Sequence, residues 1–428
     1  MAVLWCAYAL FLILPGELAL VGPLRSNGTP LRLLGLLAFF LVLAAFLRVD
    51  ERRWPRPVAA IAVAYLAFIV FAWATAHLHT MTGPESAEIN RSVLIVVSGT
   101  GLALLAASIV DDLRLAHVLV GLLAVGAVVC VSVGALQYFG VINAWSEVIR
   151  LPFTTTVVPP MGVVDRLGMN RVSGSTSSPL EYSVVLAIVL PLMIHLAVHA
   201  RSKAARLGAA AGAVVVLLGI PLGFSRSGLL TVVVTTCVML VFLRPAHRWT
   251  VLVIGAAIAV GGVVLAPEIV GILSDLVLNS SSDNSIQGRL NDYSSVIAQF
   301  EESPWLGNGP LFERTTVSVL DNQWLGTLVR DGLVGMLGMV VLLGGGAALA
   351  AHSASRLPRG SAERSLNGAL CAGLLGLGVA AGTFDIFSFQ QATFIAFLLL
   401  GLVGIGVPRR RDGAPDAAAP AEQASRAA

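Results

Sequence analysis

Apolar runs of about 17 to 25 residues recur along the whole chain, each long enough to cross a hydrocarbon layer of roughly 30 Å as a helix. They predict spans near 3–21, 31–47, 57–77, 92–109, 116–140, 180–199, 206–222, 228–243, 249–272, 324–350, 365–383 and 389–407. Lipid offers no water to backbone N–H and C=O groups, so such runs must satisfy themselves as helices. The expected fold class is an all-α integral membrane protein with about twelve transmembrane helices. Composition excludes the alternative. Hydrophobic residues fill 57% of 428 positions and charged ones 12%, against roughly 45–50% and 25% in soluble domains.

The net charge of +3 is uninformative, but the placement of the cations is not. Lys and Arg near helix ends stay on the cytoplasmic side. With the amino terminus inside, the inner connections hold Arg48, Arg52, Arg53, Arg56, Arg114, Arg201, Lys203, Arg206, Arg244, Arg248, Arg356, Arg359, Arg364 and Arg409 to Arg411. Both termini are therefore expected in the cytoplasm. Residues 1–21 lack a basic n-region and a small-residue cleavage site, so they are read as the first span and not as a signal peptide. Cys6, Cys130, Cys237 and Cys371 fall in separate spans without metal-ligand spacing and read as packing residues.

Residues 1–407 form the expected polytopic membrane domain, and 408–428, rich in Ala, Pro and charge, read as a disordered cytoplasmic tail. Two long connections, 141–179 and 273–323, are assigned to the outer face, and loops of such length usually carry function or are disordered. In the second, Ile286, Leu290, Tyr293, Ile297 and Phe300 recur at helical spacing, predicting a short amphipathic helix closed by Pro304 and the glycines Gly307 and Gly309.

Three outer-face arginines stand out: Arg171 before a span, Arg226 in the turn Gly223-Phe224-Ser225-Arg226-Ser227-Gly228, and Arg289 in the first turn of the loop helix. Arginine at membrane depth costs about 2.5–3.5 kcal/mol on insertion scales and is usually paired or functional. Each could be a helix-end snorkel or a salt bridge, Arg289 with Asp292 or Arg171 with Asp165. Together they suit phosphate or diphosphate oxygens, which a guanidinium grips through a planar fork. His77 and His79 are isolated, and His195 and His199 lie toward the cytoplasmic end.

Specific motifs follow in order: Gly288-Arg289-Leu290, Pro304-Trp305-Leu306-Gly307-Asn308-Gly309, and Asp321-Asn322-Gln323-Trp324-Leu325, ahead of Val329-Arg330-Asp331-Gly332-Leu333-Val334-Gly335. This order resembles the carboxy-terminal half of the O-antigen ligase and polymerase superfamily, where a G-R-L-like helix leads to a P-L/W-x-G-x-G turn and then to H-N-x-Y/W-L. Ser225-Arg226-Ser227-Gly228 is similar to that family's S-R-S/G-G/A turn. Arg171 through Tyr182 is similar to its R-x-x-G-x-x-x-x-P-x-E-F/Y segment. The resemblance covers roughly residues 165 to 400. Asp321 stands where the ligases carry His, which turns the reading toward a polymerase and away from ligation to a lipid A core.

The resemblance implies a GT-C-like membrane glycosyltransferase in a bacterial inner membrane. Such an enzyme takes a saccharide from an isoprenoid diphosphate-linked donor to the hydroxyl of a saccharide or glycolipid acceptor, without a metal or other cofactor. In that scheme Arg226 and Arg289 stabilise the leaving diphosphate and Asp321 takes the acceptor proton, with Asn322 orienting one partner and Arg171 in the binding region. Glu181 is a second candidate base, though a carboxylate in a first helical turn is also favoured by the helix dipole. Tyr293, Trp305, Trp324 and Phe312 could stack on sugars or anchor at the interface. The outer loops hold no D-x-D pair and no His/Cys cluster. The rival reading is a transporter or flippase of lipid-linked saccharide. Such proteins place polar groups near the midplane, whereas the spans here are almost purely apolar there. Nothing points to nucleic acid.

Overall fold

Nine helices among the described residues are long and apolar enough to cross a membrane, making this a multi-pass membrane protein. The computed structural model describes residues 1–22, 25–48, 57–77, 83–157, 162–166, 168–265, 267–278, 296–307 and 321–407. The helices are α1 (Ala2–Leu10), α2 (Pro30–Arg48), α3 (Val58–Ala76), α4 (Gly83–Ile109), α5 (Leu113–Tyr138), α6 (Trp145–Val148), α7 (Pro179–His199) and α8 (Lys203–Gly219). They continue with α9 (Arg226–Phe242), α10 (Pro245–Leu265), α11 (Pro267–Leu278), α12 (residues 296–302), α13 (Gln323–Met339), α14 (Gly346–Ser355), α15 (Ala362–Ala381) and α16 (Gln390–Leu400). A π-helical stretch, Val340–Gly345, joins α13 to α14 as one apolar run. The apolar helices α9 and α16 are shorter, at 17 and 11 residues.

The expected first span is corrected. Residues 3–21 are not one helix, because α1 ends at Leu10 and a turn leads to a strand, β1 (Leu18–Leu20). Pro15 has no N–H to continue a helix. β1 pairs antiparallel with β2 (Thr154–Thr156), Leu18 opposite Thr156, so the amino-terminal segment is tied to the first long loop. A second hairpin, β3 (Val164–Arg166) with β4 (Met169–Arg171), adds a little sheet to the expected all-α fold. The span expected at 249–272 is shared between α10 and α11, which begins at Pro267. Within the expected loop helix, 296–302 are helical, while Arg289 and Tyr293 lie outside the described residues, as do Phe312, His79 and the tail 408–428.

The centre is α7, buried along nearly its whole length, packed by α5, α8, α9, α15 and α16. Close approach needs small residues: a Cβ on Gly376 of α15 would meet Thr235 Cγ2 of α9 at 2.5 Å, and one on Gly373 would meet Leu399 Cδ1 of α16 at 2.7 Å. Without a hydrophobic drive between helices in lipid, such backbone proximity and interhelical hydrogen bonds supply the cohesion. Thr235 Oγ1 donates to Ala187 O at 3.1 Å. By contrast α10 buries none of its residues and lies at the periphery.

One face of the bundle is rich in arginines that bond carbonyls at the ends of helices. Arg206 Nε donates to Ala200 O at 2.8 Å, Arg248 Nε to Leu243 O at 2.9 Å, and Arg364 to Ala354 O at 2.9 Å. The last carbonyls of a helix carry its negative partial charge, which cations offset.

Candidate active site

Opposite the arginine-rich face, a cavity of about 540 Å³ opens among the end of α3, the start of α4, the start of α13 and the segment leading into α16. Its wall mixes apolar residues with Glu17, Trp73, Arg91, Gln323, Thr327, Arg330 and Gln390.

The start of α13 is fastened by the motif read from the sequence. Asn322 Oδ1 accepts from the N–H groups of Trp324 and Leu325 at 3.0 and 3.2 Å, and its Nδ2 donates to Gly382 O at 3.2 Å. These bonds satisfy first-turn donors that have no partner within the helix. Trp324 Nε1 donates to Gly378 O at 2.9 Å, pinning α13 to α15. Gln323 Oε1 accepts from Phe387 N–H at 2.8 Å and its Nε2 donates to Thr327 Oγ1 at 3.1 Å. Asn322 and Trp324, expected to contact substrate, are thus engaged in holding the helix. Asp321, one residue before the cap, is exposed.

Farther along, α13 breaks at Gly332, with φ 63° and ψ −160°. The turn Pro304-Trp305-Leu306-Gly307 plugs the break. Leu333 N–H donates to Pro304 O at 3.0 Å and Val334 N–H to Trp305 O at 3.2 Å, replacing bonds a continuous helix would make. Gly332 and Gly307 (φ 70°) both occupy the left-handed region, and a Cβ on Gly332 would lie 2.5 Å from Trp305 O. Only glycine fits both demands. Beside this joint Arg330 pairs with Asp385 at 3.5 Å, the two side chains 34% and 19% exposed, and Ser388 Oγ bonds the other oxygen of Asp385. Arg330 therefore sits on the cavity wall while anchored to the α15–α16 connection.

The segments that carry Arg171 and Arg226, far apart in sequence, pack together at a second centre. Arg171 Nε donates to Gly223 O at 2.8 Å and Val172 N–H to Leu222 O at 3.2 Å, so the β4 end grips the turn before α9. Ser225 Oγ caps α9 by accepting from Gly228 N–H at 3.2 Å, and half-buried Arg226 opens the helix. Buried Phe224, left-handed at φ 40°, shows the turn is held against its backbone preference. Neither arginine lines the cavity among the described residues.

Glu181 is fully buried and also off the cavity wall. Its Oε2 accepts from Ser177 N–H and its Oε1 from Ala392 N–H, both at 2.9 Å, so it clasps the start of α7 to the start of α16. Both oxygens thus cap backbone amides.

Sequence reading missed four polar residues at or behind the cavity. Glu17, nearly buried, lay inside an assumed span; burial pushes its carboxyl above the ordinary value of 4.5. Arg91 is not singled out by the sequence, and Arg330 enters it only within the run Val329 to Gly335. Arg32, fully buried in α2, reaches Asn27 Oδ1 at 2.8 Å and Gln390 Oε1 at 3.3 Å, steadying a cavity side chain from behind. A lone charge inside an apolar run was the available signal for Arg32.

No curated protein matches the chain. Residues 211–340, from within α8 to the end of α13, match the family model described as O-antigen ligase, so this stretch of the chain, about a third of its length, is similar to that family.

Proposed function

We propose that the chain is a membrane glycosyltransferase working at the outer face of the cytoplasmic membrane, transferring a saccharide from an isoprenoid diphosphate carrier to an acceptor hydroxyl. The observation carrying this reading is the cavity on the side opposite the arginine-rich face, with Arg91 and Arg330 in its wall and the exposed Asp321 at the start of the same helix as Arg330. The acceptor O–H gives its proton to a carboxylate, its oxygen bonds the anomeric carbon, and the carbon–oxygen bond to the diphosphate breaks. Charge accumulates on the departing diphosphate, where preorganised cations act most strongly. Arg226 and Arg289 are proposed for that task, with Arg171 bracing the Arg226 turn and Arg330 guiding the donor into the cavity. Asp321 is the proposed base. Because a carboxylate stands where ligases carry histidine, the reading favours polymerisation over ligation to a lipid A core.

The proposed reaction uses arginines in place of a metal. Purified protein with a lipid-linked donor, an acceptor and EDTA should still form the new glycosidic bond. Complete loss restored by magnesium or manganese would overturn metal independence. Appearance of unchanged donor in the opposite leaflet, without a new glycosidic bond, would favour a flippase.

A further inference from the structure

On the arginine-rich side, away from the cavity, a groove of about 610 Å³ lies between α5 and α8 with α7 as its floor. One wall is a single face of α5, where Arg114, His117, Gly121, Ala124 and Val128 follow at helical spacing. The facing wall is α8, where Ala205 and Gly208 are exposed small residues that keep the groove open. It closes at Gly212, where a Cβ would meet Met193 Cε at 2.8 Å and Val128 Cγ2 at 3.2 Å. From Ser202 at the mouth to Gly212 is about 15 Å at 1.5 Å per residue, which is the depth of one leaflet of a hydrocarbon layer roughly 30 Å thick.

The mouth is cationic. Arg114 and Arg201 are exposed there. Ser202 accepts from Ala205 N–H at 3.1 Å to cap α8, bringing the positive end of that helix to the same place. The neighbouring acids Asp111 and Asp112 do not line the groove, and Asp112 Oδ1 is turned to Leu115 N–H at 2.8 Å. Below the arginines His117 Nε2 lies 2.9 Å from His195 Nε2, and from there on the walls are apolar.

We propose that this groove holds one anionic phospholipid from the leaflet on the arginine-rich side, its phosphate against Arg114 and Arg201 and an acyl chain along the α5–α8 cleft. A free phosphate would use only the mouth; the apolar depth matched to a leaflet selects the lipid. Basic pockets between helices on that side of a membrane are suited to anionic headgroups.

The test uses full-length protein in nanodiscs containing phosphatidylglycerol and phosphatidylcholine, with retained lipid counted by native mass spectrometry after release into detergent. Wild type should keep one phosphatidylglycerol in preference to phosphatidylcholine. The double variant Arg114→Gln, Arg201→Gln should reduce that preference by about 25-fold, taking roughly fivefold per cation near an anionic surface. Gly121→Leu, whose added side chain enters open space, should abolish retention without lowering thermal stability in detergent. Equal retention of both lipids by wild type, undiminished phosphatidylglycerol in both variants, or displacement of the lipid by inorganic phosphate would each overturn the proposal.

Discussion

A Cβ placed on Gly307 would lie 2.3 Å from the carbonyl oxygen of Arg330, so the turn ahead of α13 and an arginine of the cavity wall are in direct backbone contact. The contact works because α13 is broken at Gly332, leaving the N–H groups of Leu333 and Val334 to donate to the carbonyls of Pro304 and Trp305. Loop and helix thereby fix each other.

Gly307→Ala should accordingly do more than remove flexibility. It forces a left-handed residue to carry a Cβ, at a cost of about 1–3 kcal/mol, and pushes on a backbone carbonyl that cannot swing aside. The expected result is a lower thermal midpoint together with reduced transfer by membrane-inserted protein. A variant with wild-type midpoint and turnover would show that the turn does not set the position of Arg330.

Arg330 and Asp385 can be separated by their own substitutions. Arg330→Gln removes one of the two arginines on the cavity wall and should lower kcat/KM by about tenfold to a hundredfold, the range for losing one charge-assisted hydrogen bond to substrate. Asp385→Asn keeps the cation but loosens its anchor, so it should raise KM with a smaller loss. Equal effects of the two would make the pair purely structural.

The sequence showed where apolar runs lie but not what breaks them. The span expected at 57–77 is α3 at Val58–Ala76, and the one at 180–199 is α7 at Pro179–His199, because hydropathy alone decides such segments. Residues 11–20 are just as apolar yet form a turn and a strand, since their partner Thr154–Thr156 lies far along the chain. Periodicity carries no trace of that pairing. The Gly332 break is equally hidden, as its cause is the docking of Pro304 and Trp305.

The site was legible in its motifs and not in its assembly. Ser225-Arg226 and Arg171 stand as two separate motifs in the sequence, and the structure joins their segments through Gly223. Asn322, Trp324 and Glu181 carry side chains that could bind sugar or move a proton, and only their hydrogen bonds reveal them as clasps. Glu17, Arg91 and Arg330 become one wall through tertiary packing alone.

Glu17 gives a pH-dependent prediction. Burial raises its pKa above 4.5 in the folded protein, so the folded state binds the proton more tightly than the unfolded one. Its stability contribution is fully present below 4.5 and is lost as pH rises through the raised value. Glu17→Gln does not ionise. The thermal midpoint of that variant relative to wild type should therefore climb as pH increases from about 4 to 7. A falling difference over the same range would mean that the carboxylate is stabilised in the folded state, and a flat one that burial does not shift it.

The proposed division of labour between Arg226 and Asp321 yields the most direct test of the chemistry. Arg226 opens α9 from a turn gripped by Arg171, so its backbone is held in place and its planar fork is the feature to remove. Arg226→Lys keeps the charge but loses the fork, and should remain clearly impaired, with donor handling affected first. Asp321 is exposed at the entrance to α13, and Asn322 behind it maintains the helix cap independently of the Asp321 side chain. Asp321→Asn should then leave the fold and donor affinity nearly intact while lowering transfer by roughly 10²-fold or more, the usual range for loss of a general base. Asp321→His restores a group able to accept the same proton and should recover part of that loss if the imidazole reaches the acceptor. The measurement is transfer rate alongside donor affinity for all three variants in folded, membrane-inserted protein. Wild-type turnover in Asp321→Asn would remove Asp321 from the mechanism and turn attention to Glu17 and Asp331, carboxylates that already line the cavity.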